Sequence, residues 1–144
     1  MVSILKTDKI QASHGSTIEV PSGQVLHAPG HVMQVVSNHY TAIENTSSAS
    51  LVASSVLANI TPKFATSKIL VDMRIQGILA TEHSSNVELA LYNGTEGGTY
   101  SSLIIWNQVS GYTHSSDERM YGATSTFQYF HDVNNTNNNR YTVY

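Results

Sequence analysis

The chain contains no cysteine and unusually little charge. Without a cysteine among its 144 residues, neither disulfide bonds nor thiol chemistry can take part in its stability or activity. Only 12% of the residues are charged, which is about half the usual share for a soluble domain. The formal net charge is −3 and the lysines and arginines are scattered, so the sequence offers no basic patch for nucleic acid.

Long hydrophobic runs are missing as well. The longest apolar stretches, such as Leu103–Trp106, are far shorter than the roughly 20 residues of a membrane-spanning helix. The first ten residues, MVSILKTDKI, contain no apolar segment typical of a signal peptide. We therefore expect a protein that has no membrane partner and that folds in the cytoplasm of the cell that makes it.

Serine, threonine and asparagine take the place of the missing charge. Their side chains compete for backbone hydrogen bonds, so they suit turns and strand surfaces better than helix interiors. Apolar and polar residues alternate along KILVDMRIQGIL, the pattern of a strand with one buried face. Pro62 is expected to end a preceding strand after Ile60, because proline donates no ladder hydrogen bond.

The same pattern predicts an all-β protein, an antiparallel β-sandwich of the jelly-roll type over residues 31–144. A short helix is possible only within Asn45–Ala58, which is rich in alanine and serine. The predicted strands are Val32–Asn38, Thr41–Ile43, Ser50–Leu57, Ile69–Leu79, Val87–Tyr92, Leu103–Gln108, Thr124–Asp132 and Arg140–Tyr144.

Residues 1–30 form a separate, extended segment in this interpretation. Glycines recur at positions 15, 23 and 30, which is typical of repeated tight turns between short strands. Strands this short cannot bury a core within one chain. Two interpretations remain open: a disordered leader, or an attachment and trimerisation segment in which copies wrap together. The spacing of four apolar residues favours the second: Ile18, Val20, Val25 and Leu26.

The sequence stops within the predicted strand that ends at Tyr144. An unpaired terminal strand promotes aggregation unless another chain covers it. We therefore expect either a short version of a longer protein or a final strand that pairs with a neighbouring subunit. Both ends of the chain thus indicate an oligomer.

No group of residues indicates catalysis or a bound metal. His27 and His31 are four residues apart, but Pro29 and Gly30 exclude a helix that would align them. The motif G-x-S-x-G is absent, and Asp117-Glu118 is the only adjacent acidic pair. We expect a non-enzymatic protein without a cofactor or metal, although a symmetric oligomer could bring copies of His14, His27 or His31 together.

Tyrosine is the residue type that most suggests binding. The predicted loops carry four tyrosines and an asparagine-rich segment from Asn134 to Asn139. A tyrosine offers an apolar face and a polar tip, which suits contact with sugars or proteins, although packing at strand edges explains tyrosines equally well. We expect the segments Tyr92–Tyr100, Gly111–Tyr121 and Asn134–Asn139 to form one end of the sandwich. The candidate contact residues are Tyr92, Tyr100, Tyr112, Tyr121, Asn134 and Asn138.

Four short segments stand out by their order and spacing: SILKTDKIQ near the start, VPSGQVLHAPGHVMQVV from Val20 to Val36, ITPKFATSKILV from Ile60 to Val71, and the ending from Ser125 to Tyr144. Taken together, they resemble tail fibres and related virion proteins of marine bacteriophages. The resemblance implies a homotrimeric, non-enzymatic virion component with a β-rich distal domain. It implies no catalytic or ligand residues.

Three classes of function follow from the resemblance and the composition. The first is a tail fibre or fibre-tip module that contacts a glycan or protein on the host surface. The second is a capsid head fibre or decoration protein, attached to other virion proteins through the N-terminal segment. The third is a free carbohydrate-binding module, which would not require an oligomerising leader.

Overall fold

The computed structural model describes residues 7, 10–15, 17, 19–22, 24, 28, 30–78, 86–110 and 123–144. Contacts within the chain divide it into two compact units, Met1–Met33 and Gln34–Tyr144. The regular secondary structure of the described residues falls in the second unit. The described part of the first unit includes Thr17, Glu19, Val20 and Gln24, none of them in a strand, while Ile18, Val25 and Leu26 lie outside it.

The second unit is all-β, as the sequence predicts. Its described residues form six strands and no helix, so none of them belongs to a helix that could cross a membrane. The strands make a four-stranded antiparallel sheet with the order β1-β6-β3-β4 and a two-stranded antiparallel sheet of β2 and β5. The bounds are β1 Leu57–Ile60, β2 Lys68–Ile78, β3 Asn86–Gly94, β4 Tyr100–Ser110, β5 Ala123–Asp132 and β6 Asn139–Val143.

The two sheets pack face to face in a sandwich-like arrangement. The buried core joins Ile69 and Val71 of β2 to Leu91 of β3 and Tyr141 of β6. Next to this core, Trp106 of β4 stacks on Phe127 of β5 with ring centroids 3.7 Å apart. Its indole Nε1 also donates a 2.7 Å hydrogen bond to Ser125 Oγ on β5. Both sheets therefore contribute side chains to one core.

The alternation predicted for β2 is confirmed. Ile69 and Val71 are buried, whereas Lys68, Leu70 and Asp72 are exposed. The strand before it ends at Ile60, two residues before the buried Pro62. The period-2 pattern and the proline thus located the end of β1 and the buried face of β2.

Three strand predictions between Val32 and Leu57 are wrong. Residues 32–56 contain no strand, so the strands Val32–Asn38 and Thr41–Ile43 are absent and Ser50–Leu57 is in a strand only at Leu57. The possible helix within Asn45–Ala58 is absent as well. Strand propensity is expressed only where a partner strand supplies hydrogen bonds, and the described chain offers these residues none.

Side chains from this segment instead cap the outer edge of β1 and the residues before it. Asn38 Nδ2 donates a 2.6 Å hydrogen bond to the carbonyl oxygen of Leu57. The Glu44 carboxylate accepts the backbone N–H of Ser55 at 2.9 and 3.1 Å and the Tyr40 hydroxyl at 3.1 Å. These hydrogen bonds, those with Ser55 first, lower the pKa of Glu44. Covering an edge strand in this way blocks unwanted pairing.

The final strand is paired on both sides within the chain. β6 forms ladders with β1 and with β3, and the ladder continues where Tyr144 and Ala90 exchange two backbone hydrogen bonds. The expectation of an unpaired terminal strand that needs a neighbouring subunit is therefore wrong. The order of strands in a sheet depends on contacts between residues far apart in the sequence, so a local pattern cannot predict it.

Leu91 is the largest fully buried side chain among the described residues, and we expect its truncation to be costly. Leu91→Ala should lower the free energy of unfolding by about 3 kcal/mol, because it removes buried methyl groups and leaves a cavity. The control is Leu70→Ala, since Leu70 is 48% exposed and should change stability by less than about 1 kcal/mol. Urea denaturation followed by circular dichroism measures both, and similar losses would contradict the assigned core.

A second contact between the sheets joins His131 of β5 to Tyr141 of β6. The Tyr141 hydroxyl lies 2.7 Å from His131 Nδ1, and a neutral imidazole can accept a hydrogen bond there. Burial lowers the pKa of His131, while the Asp132 carboxylate acts in the opposite direction. Burial, followed by the effect of Tyr129, raises the pKa of Tyr141 well above its usual range. The pair is therefore neutral near pH 7.

We expect the fold to lose stability as the pH falls below the usual pKa of histidine, near 6.5. The folded-state pKa of His131 lies below the unfolded value, so the unfolded chain binds the proton more readily and acid favours unfolding. His131→Asn should weaken this pH dependence, whereas the pH dependence should persist in the control His39→Asn, which changes an exposed histidine and retains His131. Urea unfolding between about pH 7 and pH 5 checks this, and an unchanged slope in His131→Asn would contradict it.

Candidate functional site

Two of the three predicted contact segments meet at one end of the four-stranded sheet. Gly94, the last residue of β3, lies opposite both Tyr100 at the start of β4 and Arg140 near the start of β6. The β3–β4 turn and the loop that precedes β6 are therefore neighbours. The segment Gly111–Tyr121, with Tyr112 and Tyr121, lies outside the described residues.

Three tyrosines gather on the face of the four-stranded sheet that points away from the core. The ring centroids of Tyr92 and Tyr144 are 4.1 Å apart, and those of Tyr100 and Tyr144 are 6.4 Å apart. Side chains alternate along each strand, so Tyr92 lies on the sheet face that is opposite to the face of buried Leu91. We call Tyr92, Tyr100, Tyr144 and Arg140 the tyrosine face. All four residues are partly exposed.

Gly94 fixes the position of the Tyr100 ring. A Cβ at Gly94 would lie 2.6 Å from the Thr99 carbonyl oxygen and 2.8 Å from Cδ1 of Tyr100, closer than side-chain atoms can pack. The ring therefore lies over the bare backbone of the opposing strand, an arrangement by which an aromatic residue covers a glycine in a sheet. The position of the Tyr100 ring therefore depends on the absence of a side chain at Gly94.

Arg140 places a permanent positive charge beside the three rings. Its Nη2 is 2.6 Å from Glu96 Oε1 in the β3–β4 turn, and its Nε donates a 3.0 Å hydrogen bond to Asn59 Oδ1 on β1. The hydrogen bond with Glu96 is the main cause of a raised pKa for Arg140, and Tyr100 contributes. With two of its nitrogens engaged, the guanidinium is held in one orientation, and its remaining N–H groups can still donate.

The asparagine-rich loop uses its amides internally. Asn135 Oδ1 accepts hydrogen bonds from the backbone N–H of Asn137 and from Asn139 Nδ2. The amide nitrogen of Asn134 is bonded to the Asp132 carbonyl oxygen, and its φ of 49° is a left-handed conformation that asparagine tolerates well. Asn138 is exposed. Of the two predicted contact asparagines, Asn134 thus braces the loop, and Asn138 presents its side chain to solvent.

Sequence analysis selected Tyr92 and Tyr100 as candidate contact residues but did not include Tyr144 and Arg140. Both missed residues belong to or adjoin β6, where Arg140, Thr142 and Tyr144 share one face by alternation. Sequence analysis identified that strand, and its alternation already predicts that these three residues share a face. What it could not provide is the pairing of Gly94 with Arg140, which brings the two groups together.

The tyrosine face can bind by surface contact, and the described residues offer no metal centre. No group of three or more histidine, cysteine, aspartate or glutamate side chains suited to a metal occurs in the part of the chain that the structure describes. Aromatic faces combined with a guanidinium are suited to stacking against a sugar ring or to packing against a protein partner. No protein-family model, curated protein or solved structure matches this chain.

We expect Gly94→Ala to disturb both the hairpin and the tyrosine face. The added methyl group must displace the Thr99 carbonyl oxygen or the Tyr100 ring, which should lower the free energy of unfolding by about 1–3 kcal/mol. Near-ultraviolet circular dichroism should also change, because Tyr100 moves relative to Tyr144. The control is Ser102→Ala, an exposed position of β4. Unaltered stability and spectrum in Gly94→Ala would contradict the close contact at Gly94.

Proposed function

We propose that this chain is a non-enzymatic structural protein of a bacteriophage virion, a homotrimeric tail fibre or fibre-tip module whose β-sandwich contacts the host surface. The sandwich is of the jelly-roll type in this proposal. Residues 1–30 act as an extended attachment and trimerisation segment that also contacts other virion proteins. The particle is assembled in the host cytoplasm.

The observation that carries the proposal is the tyrosine face. Tyr92, Tyr100 and Tyr144 form a continuous aromatic group beside Arg140 at the end of the sheet that bears the β3–β4 turn. Tyrosine and arginine are enriched where proteins recognise partners, because they offer large contact areas with polar tips. A surface of this composition supports adhesion to a glycan or a protein on a host cell.

The location of the chain in the particle is tested by immunogold electron microscopy of intact virions with an antibody against this protein. Label on the tail supports the proposed fibre. Label over the capsid would instead assign the protein to a head fibre or decoration protein, and the tyrosines would then contact neighbouring virion proteins. Absence of label from purified particles would contradict a virion role altogether.

We expect the tyrosine face to determine adsorption to host cells. Tyr92→Ala and Tyr100→Ala should each reduce binding of the purified protein to the bacteria that the particle infects by about tenfold or more, as for aromatic residues at the centre of an interface. The matched control is Tyr40→Ala, a tyrosine that is 38% exposed and bonds to Glu44. Binding that is unchanged in the first two variants would contradict the assigned contact surface.

Conservative variants separate stacking from hydrogen bonding at the same surface. Tyr100→Phe keeps the ring over Gly94 and removes only the hydroxyl, so a stacked ligand should tolerate it. Circular dichroism of each variant establishes that the fold is retained. A loss of binding in Tyr100→Phe as large as in Tyr100→Ala would assign the contact to the hydroxyl group.

A further inference from the structure

The segment of residues 32–53 has no strand partner within the described chain. None of these residues takes part in a backbone–backbone hydrogen bond within the described chain, although the residues on either side do, His31 with Ala28 and Ser54 with Val143. Val35 is 80% exposed and Val36 is 42% exposed. Neighbouring residues of an extended chain point in opposite directions, so both sides of this segment present apolar groups to solvent.

The sequence of this segment is suited to a strand inside a sheet. Val32–Asn38 carries apolar residues on both faces, the pattern of a strand covered from both sides. From Val32 to Ile43 the chain contains no lysine, arginine, aspartate or glutamate. Proteins usually place such charges on exposed strands to prevent pairing. The segment therefore has the features of a strand that pairs with a sheet, and it lacks the charged residues that would prevent such pairing.

The two-stranded sheet of β2 and β5 has edges that are unpaired in the described chain and to which such a strand could add. Each of its strands has one edge that pairs with no other described strand, and a two-stranded sheet is marginally stable in water. Its outward face carries the cross-strand pair Leu70 and Phe130, which are 48% and 71% exposed. Its inward face carries Phe127 and Tyr129 against the core. A strand added beside β5 would thus find apolar neighbours on both faces.

We propose that residues 32–38 of one copy of this chain add as a strand to the β5 edge of a second copy. One of the two valines, Val35 or Val36, then lies beside Phe130 on the outward face, and the other lies on the inward face. The added strand supplies backbone hydrogen bonds to β5 and receives them in return, as in recognition by β-strand addition. The inference rests on the proposed homotrimer and deepens it by naming the contact surfaces.

A second copy is the occupant because every chain carries both donor and acceptor, and the donor segment is bonded to the sheet that does not contain β5. Asn38 holds the end of the donor segment at the outer edge of β1 in the four-stranded sheet, whereas β5 belongs to the other sheet. A donor surface and a different acceptor surface on each copy make a head-to-tail contact, which forms a closed ring when the rotation between copies closes and an open filament when it does not. Three copies in a ring give a trimer in which every β5 edge is covered.

The absence of cysteine from the chain allows a direct test by disulfide cross-linking. Val35→Cys and Val36→Cys are each mixed with an affinity-tagged chain that carries Phe130→Cys, and the mixture is oxidised. Acceptor variants Gln128→Cys and Asp132→Cys extend the test to neighbouring registers along the same face of β5. The control acceptor is Ile105→Cys on β4, an outward residue that is 50% exposed and belongs to the other sheet. Light scattering of the unaltered chain gives its oligomeric mass.

We expect at least about tenfold more tagged–untagged dimer with a β5 acceptor than with Ile105→Cys, since a disulfide requires Cβ atoms within about 4.5 Å. Equal or greater yield with Ile105→Cys would overturn the assignment to β5. An intramolecular cross-link in the double variant Val35→Cys/Phe130→Cys would overturn the second copy as occupant.

The test separates this inference from the proposed function. A monomeric mass would contradict both the homotrimer and the strand addition. An oligomer without a preferred β5 cross-link would overturn only the strand addition, because the assembly would then be held by other surfaces. The virion location and the tyrosine face are measured independently, by immunogold labelling and by adsorption.

Discussion

The pairing of β6 between β1 and β3 is the constraint on which the rest of the second unit depends. These five residues form ladders on both sides, and Tyr141 and Val143 are almost fully buried. Because β1 is the first and β6 the last of the described strands, this pairing joins residues about 80 positions apart, as Asn59 and Arg140 show. Closing a loop of that length costs conformational entropy that only a well-packed core can offset.

The two faces of β6 serve different purposes. Tyr141 points to the core and reaches His131 of the opposing sheet, so it helps to hold the two sheets together. Arg140 and Tyr144 occupy the other face, where they meet Glu96 and Tyr92. A single strand therefore links the stability of the sandwich to the geometry of the proposed contact surface.

In the single chain, one sheet edge is covered by hydrogen-bonding side chains and another has no described partner strand. Asn38 bonds to the outer edge of β1 and Glu44 bonds to Ser55 just before it, whereas the described chain leaves β5 without a second partner strand. The same stretch that supplies those side chains exposes Val35 and Ile43, at 80% and 89%. Exposed apolar groups on an unpaired backbone, together with an open sheet edge, are the physical basis for proposing that copies of the chain complete each other.

The sequence by itself determined the secondary-structure class and most strands of the second unit, because the alternation in segments such as Ile69–Ile75 and the proline after β1 act locally. It also selected Tyr92 and Tyr100 as candidates. Only the tertiary structure decided that Val32–Asn38 has no partner strand within the described chain, that β6 is internal to a sheet, and that Arg140 and Tyr144 join the other tyrosines. Those outcomes depend on which distant strands pair, and strand partners are chosen by the packing of the whole core rather than by neighbouring residues.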